Sequence, residues 1–264
     1  MFQKLMIRTL LVFSVILTIG PVLLVMLQSI SFRWMWPDLI PHQFGIQAWY
    51  VVFDDPNLIQ ALSNSLIITA AVVMLTMCIS MPAARALAFA LFKGKTLIET
   101  ILMLPLLIPL LFIVMGLHLT MIRFNLADTL PGVVLVHLLP TVPYAIRILR
   151  TGYERIGTIW YEQATVLGAS RLKQFWTITV PMLMPSIRSV IVLTVVITLS
   201  QYALTAIIGG GIITTLPMIY YPYFNSANQS IMAAFTLLFA ILPIIFWFGI
   251  ELICKSVTTL IRQP

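Results

Sequence analysis

The sequence predicts an all-α integral membrane fold of six transmembrane helices, with a cytoplasmic two-helix loop between spans four and five. Three observations predict it. Hydrophobic residues make up 61% of the chain and charged residues only 9%, with a mean hydropathy of +1.05, whereas soluble domains carry about 25% charged residues. Six apolar runs are long enough to cross a bilayer, which takes about 20 helical residues. A chain of 264 residues holds these runs and short connections in one membrane domain, 1–264, with no sizeable soluble domain beside it. Finally, thirteen of the fifteen Lys and Arg residues fall on one side of a six-span arrangement. They are Lys4, Arg8, Arg85, Lys93, Lys95, Arg147, Arg150, Arg155, Arg171, Lys173, Arg188, Lys255 and Arg262, leaving Arg33 and Arg123 opposite. The positive-inside rule then places both termini in the cytoplasm, and the net charge of +7 is a topology signal rather than a nucleic-acid footprint.

The first span covers about 9–29. Lys4 and Arg8 before an apolar run suggest a signal peptide, but the run exceeds a signal's apolar region of about 7 to 15 residues and no small-residue cleavage site follows. It reads as an uncleaved span. The segment from Ser31 to Asn57, with Trp34, Trp36, Trp49, Tyr50, Asp38, Asp54 and Asp55, reads as an extracytoplasmic loop with interfacial aromatics. Span two, about 63–88, is bent near its cytoplasmic end by Pro82, with Arg85 snorkelling to that interface.

Span three, about 98–121, carries Pro105 and Pro109 one helical turn apart, and span four, about 131–149, carries Pro140 and Pro143. Each interior proline frees a carbonyl from the helical ladder, which a membrane tolerates where protein or a water-lined cavity receives it. Pro105, Pro109 and Pro140 are therefore candidates for a solute path, with ordinary kinked packing the alternative. Span five, about 187–208, offers Ser200, Gln201, Tyr202 and Thr205 as uncharged hydrogen-bonding groups for the same path. Span six, about 231–253, contains Pro243 and ends before Lys255. Cys78 and Cys254 lie in apolar segments and read as small buried hydrophobes.

The longest polar stretch between membrane-length runs is the loop at about 155–181. Ile156, Ile159, Trp160, Ala164 and Leu167 fall at helical spacing, with Glu162, Gln163 and Thr165 elsewhere on the helix. Gly168 interrupts the pattern. Leu172, Phe175, Trp176 and Thr179 then resume it opposite Arg171, Lys173 and Gln174, until Pro181 removes a backbone donor and closes the second short helix.

Glu162, Gln163, Ala164, Gly168, Ile178 and Pro181 stand at the intervals of Glu-Ala-Ala, Gly and Ile-x-Leu-Pro. The loop thereby resembles the EAA loop of ABC importer permeases, departing from it at Gln163 and Val180. The resemblance implies a permease in a bacterial-type cytoplasmic (inner) membrane that forms the solute path with a second permease subunit. It also implies an ATP-binding subunit dimer, which would carry ATP and Mg, and an extracytoplasmic solute-binding protein. In that setting Glu162, Gln163, Ala164, Gly168, Arg171, Lys173, Ile178 and Pro181 couple the chain to the ATPase. Trp49-Tyr50, Asn64-Ser65-Leu66 and Leu216-Pro217 further resemble the permease group handling polyamines, thiamine, ferric iron or phosphonates.

No catalytic or metal-binding set is legible. His42, His118 and His137 are scattered, without the His-Glu-x-x-His spacing that puts two ligands on one helical face. The nucleophile elbow and the phosphate-binding Gly-x-x-x-x-Gly-Lys-Ser/Thr loop are missing as well. The chain is therefore expected to bind no cofactor of its own and not to hydrolyse ATP. Asp38, Asp54, Asp55 and Asp128 fall outside, and Glu99, Glu154, Glu162 and Glu251 fall at the cytoplasmic boundary. With no carboxylate in mid-membrane, energy from a partner is favoured over proton coupling. A secondary transporter or channel, and less so an intramembrane enzyme, are the alternatives.

Overall fold

A computed structural model describes residues 2–32, 34, 38, 40–225 and 228–262. Arg33, Trp36 and Pro37 lie outside these residues, and the side chains of Lys4, Cys254, Lys255 and Arg262 lie outside those described. The described chain is helical, with one isolated bridge between Ser31 and Phe44. Five helices are long and apolar enough to span a membrane, or six when one bent pair counts as a span.

The chain forms two compact units. One comprises Met1–Ile59 and Met218–Leu242. It contains α1 (Phe2–Ser29), α2 (Gln47–Phe53) and the first turns of α12 (Gln229–Arg262). Apolar side chains surround α1, and they are exposed, as expected of a helix facing lipid or partner. Gln28 and Ser31, at the end of α1, meet Gln229 and Ser230 at the start of α12. The segment read as a plain loop includes α2, where Trp49 stacks on Phe53 at 5.9 Å.

The other unit, Gln60–Pro217 with Pro243–Pro264, holds most of α3 (Leu58–Phe89), then α4 (Lys95–Leu107), α5 (Leu110–Arg123) and α6 (Leu130–Ile156). The loop helices α7 (Ile159–Val166) and α8 (Arg171–Gln174) follow, then α9 (Val180–Ser200) and α10 (Tyr202–Ile208). Helix α11 is Leu216–Tyr220. Helices α6 and α9 are the principal packed pair. Their approach depends on Gly152, where an added Cβ would sit 2.5 Å from Ser186 Oγ and 2.6 Å from Leu183 Cδ1.

Three expectations are corrected. Span three is broken rather than kinked: α4 and α5 meet at 99°, because Ile108, which precedes Pro109, is extended at φ −92° and ψ 133°. Span five starts and ends earlier than 187–208. It runs from Arg171 to Ser200 as a 30-residue helical stretch, and Gln201, at φ −84° and ψ 86°, separates it from α10. Pro181 does not close a second short helix. Residues Phe175–Thr179 are π-helical, and the Val180 N–H donates to Phe175 O, five residues back, so the widened turn carries the helix through the proline.

The second halves of the broken spans, α5 and α10, pack together. Val114 of α5 and Leu204 and Ile208 of α10 share a core with Ile68 and Val72 of α3 and Val133, Val134 and Val136 of α6. A second core gathers Ala84 and Leu87 of α3, Leu149 and Tyr153 of α6 and Leu183 and Ile187 of α9. Tyr161 of α7 joins this second core.

Candidate functional site

The loop between α6 and α9 is built around two local devices. Helix α7 ends in a Schellman motif: Gly168 N–H donates to Thr165 O at 2.9 Å and Ala169 N–H to Ala164 O at 2.9 Å. This turn requires the left-handed backbone of Gly168, at φ +74°. A Cβ there would meet nothing within 4 Å, so the glycine answers to backbone conformation and leaves its surroundings open. Ser170 then caps α8, accepting from Lys173 N–H at 3.3 Å. Gln174, 6% exposed, braces the elbow by donating to Thr165 Oγ1 and Ala169 O, both at 3.0 Å.

Tyr161 fixes this elbow to the helical bundle. Its hydroxyl shares a hydrogen bond with Thr179 Oγ1 at 3.1 Å. The Arg85 guanidinium lies 5.0 Å from its ring centroid, within cation–π range. Phe89 meets Tyr161 edge-on at 5.7 Å and Tyr153 at 5.8 Å. One side chain of α7 thus contacts α3 and the π-helical entry to α9, and shares Phe89 with α6. A further tie joins α4 to α6, where Arg150 meets Glu99 and Glu154, each at 2.7 Å.

The apolar face of the elbow is exposed. Val166 and Leu167 are 87% and 86% exposed, Leu172 is 69% exposed, and Ile159, Trp160 and Trp176 are exposed as well. Polar Gln174 and Thr179 occupy the buried side. Beneath this crest, α3 and the loop enclose an open cleft of about 1120 Å³, lined by Arg85, Tyr161, Glu162, Arg171 and Gln174 among others. Of the remaining expected loop residues, Gln163 and Lys173 are exposed, Ala164 and Pro181 are half-buried, and half-buried Ile178 packs against the second core.

The candidate solute-path residues separate into three groups by exposure. Pro109 and Ser200 are exposed beside the two helix breaks, and Pro105, Gln201 and Tyr202 are half-buried. Pro140 and Thr205 are buried, and the Thr205 hydroxyl donates to Gln201 O at 3.0 Å across the break. The sequence reading missed Tyr161, Thr179, Gln174 and Arg85 as site residues. The one signal available was Arg85, a cation one helical turn from Phe89.

Comparison with known proteins places this geometry. The molybdate/tungstate transport system permease protein of Pyrococcus abyssi is 33% identical over 136 residues, 51% of this chain and 54% of that protein. The sulfate transport system permease protein of Synechococcus elongatus is 28% identical over 189 residues, 66% of each chain. The diacetylchitobiose uptake permease of Streptomyces coelicolor is 24% identical over 154 residues, 58% of this chain and 51% of that one. The chain spans about half the length of the first of these relatives. A crystal structure of a bacterial ABC transporter that imports the acidic polysaccharide alginate shares the fold, with TM-score 0.68 at 15% identity over 95% of both chains. The family model described as binding-protein-dependent transport system inner membrane component matches residues 82–258. That match runs from the Pro82 end of α3 through the loop and into α12, and the chain belongs to this family of transport-system membrane components.

Proposed function

We propose that this chain is the permease subunit of an ATP-driven importer in a bacterial-type inner membrane, with both termini in the cytoplasm. It pairs with a second permease subunit, same or homologous, and takes its solute from an extracytoplasmic binding protein. ATP and Mg act on a dimer of ATP-binding subunits docked on the α7–α8 elbow. One observation carries the reading: the elbow is fastened to α3, α6 and α9 through Tyr161, while its apolar crest of Trp160, Val166, Leu167 and Leu172 is left uncovered by this chain. A surface of this kind suits a protein interface.

Closure of the ATPase would displace the elbow, and Tyr161 would pass that displacement to the spans, shifting an equilibrium between inward-open and outward-open arrangements. Arg171 and Lys173 supply cations for pairing across the interface, and Glu162 an acceptor. The solute class that suits the chain is a small oxyanion, the cargo named for the Pyrococcus and Synechococcus relatives, since the described spans bring no carboxylate into mid-membrane.

The test is co-purification of the tagged chain from gently solubilised membranes, wild type against Gly168→Asp. Asp tolerates the left-handed backbone better than most residues, and its side chain enters open space in this chain. The variant should insert normally and lose the ATP-binding subunit. A variant that retained the subunit, with undiminished stimulation of ATP hydrolysis by loaded binding protein, would overturn the docking assignment. Stimulation by disaccharide but not by molybdate, tungstate or sulfate would overturn the oxyanion.

A further inference from the structure

Inside the bundle, away from the elbow, Ser65 and Thr69 of α3, His137 of α6, Thr198 of α9, Thr205 of α10 and Thr215 line a small cavity of about 10 Å³. That is about one probe sphere, the least space that holds a water, and far too small for a transported solute. The Oγ1 atoms of Thr69, Thr198 and Thr215 are buried and have no hydrogen-bond partner in the protein. The three residues are 0%, 5% and 5% exposed.

The local alternative for such hydroxyls is known from the same molecule. Thr100, Thr141, Thr151, Thr165, Thr205 and Thr236 each donate to the carbonyl four residues earlier. Thr69 and Thr198 are helical too, yet forgo that bond and line the cavity. Two neighbours complete the polar lining. Ser65 Oγ accepts from Leu216 N–H at 3.0 Å, leaving its own proton to donate. His137 Nδ1 lies 2.7 Å from Val133 O; a carbonyl only accepts, so Nδ1 carries the proton and a neutral ring keeps Nε2 as an acceptor.

We infer that this cavity binds one water molecule, held by the hydroxyls of Thr69, Thr198 and Thr215 with either Ser65 or His137 as its fourth partner. The chemistry selects water over a cation: the lining contains no carboxylate, and an uncompensated charge is costly at such a depth. Water supplies two donors and two acceptors to groups that otherwise remain unsatisfied. The site sits at the break of span five, since Thr198 and Thr205 flank Gln201. The water therefore joins the end of α9, beside that break, to α3 and α6 through bonds that re-form when the helices shift, a joint suited to a helix that must move in transport.

Threonine-to-valine replacement tests this by sign, because the two side chains have the same shape. With water in place, Thr69→Val, Thr198→Val and Thr215→Val each remove one of its partners and should lower the melting temperature of the full chain in nanodiscs by about 2–4 °C. In a dry cavity each replacement removes an unsatisfied hydroxyl, and the melting temperature should rise or stay unchanged, which overturns the inference. Should one variant fail to insert, the other two carry the same sign test. Radical footprinting in ¹⁸O-labelled water adds a direct reading: buried His137 should be oxidised in wild type and protected in the triple variant. Absence of wild-type labelling there, with exposed Trp160 labelled, would overturn the site. A melting temperature that rises with sodium over choline at constant ionic strength, and loses that dependence in Thr198→Val, would replace the water with a cation.

Discussion

The hydrogen bond between Tyr161 and Thr179 allows the elbow's attachment to be measured. Thr179 is wholly buried and Tyr161 is 8% exposed, so neither hydroxyl has ready access to replacement water. Tyr161→Phe removes one partner and leaves the Thr179 hydroxyl unsatisfied, at a cost of about 1–3 kcal/mol. Thr179→Val should cost a similar amount by leaving the phenol unpaired. The double variant has no orphan and should be less destabilised than the sum of the singles, giving a coupling energy of about 1–2 kcal/mol. Tyr161→Ala also loses the ring packed on Phe89 and Arg85, and should cost about 3–5 kcal/mol. Denaturant or thermal unfolding in nanodiscs gives the stabilities, and stimulation of ATP hydrolysis in the reconstituted complex gives the coupling. Additivity within about 0.3 kcal/mol would refute the bond's role. Full stimulation in Tyr161→Ala, at unchanged assembly, would refute the view that this side chain transmits motion.

Other ties give smaller, separable effects. Gly152→Ala places a methyl against Ser186 and Leu183 and should destabilise the α6–α9 contact by about 1–3 kcal/mol; a compensating Ser186→Gly should recover part of it, read by the same unfolding assay. Gly168→Ala should cost about 1–2 kcal/mol from the left-handed backbone, and Gly168→Asn less, a ranking that steric crowding would not produce. Arg150→Gln removes the tie between α4 and α6, but its groups are about one-third exposed, so screening limits the loss to about 1 kcal/mol or less. Salt should shrink that difference.

The spans that held one direction were legible because hydropathy reports burial in lipid over a whole helix: α1, α3, α6 and α12 contain the expected runs and extend beyond most of their ends. The breaks were not. Pro105 and Pro109 carry the same local restriction, yet the helix passes Pro105 and breaks at Pro109, so that restriction alone does not fix the position of the break. Gln201 has neither proline nor glycine beside it, so the end of α9 left no local mark. The elbow's position and its Gly168 turn were readable, because a left-handed turn restricts residue type. Which face of the elbow was buried was not, because an apolar stripe has the same period whether its own chain or a partner covers it. Gln174 and Thr179 show the difference: both are polar, and both are buried by bonds that the sequence pattern does not reveal.

In the proposed coupling, the continuous stretch from Arg171 to Ser200 would supply the mechanical link. At about 1.5 Å per residue, its 30 residues run from the elbow to the break at Gln201, so displacement of one end reaches the other without an intervening loop. The π-helical turn sets the rotational register of that rod and lets Pro181 remain inside it. Deleting Thr177 would remove one residue from this turn and rotate Gln174 by about 100° relative to α9. Gln174 could not then reach Thr165 and Ala169 while Leu183 and Ile187 kept their places in the core. The deletion should therefore insert and retain the α6–α9 packing, read as an unfolding midpoint in nanodiscs close to that of wild type, while transport and stimulated ATP hydrolysis fall to the uncoupled level. Wild-type coupling in the deletion would mean that register along the rod is irrelevant, and that the elbow acts through Tyr161 and α3 alone.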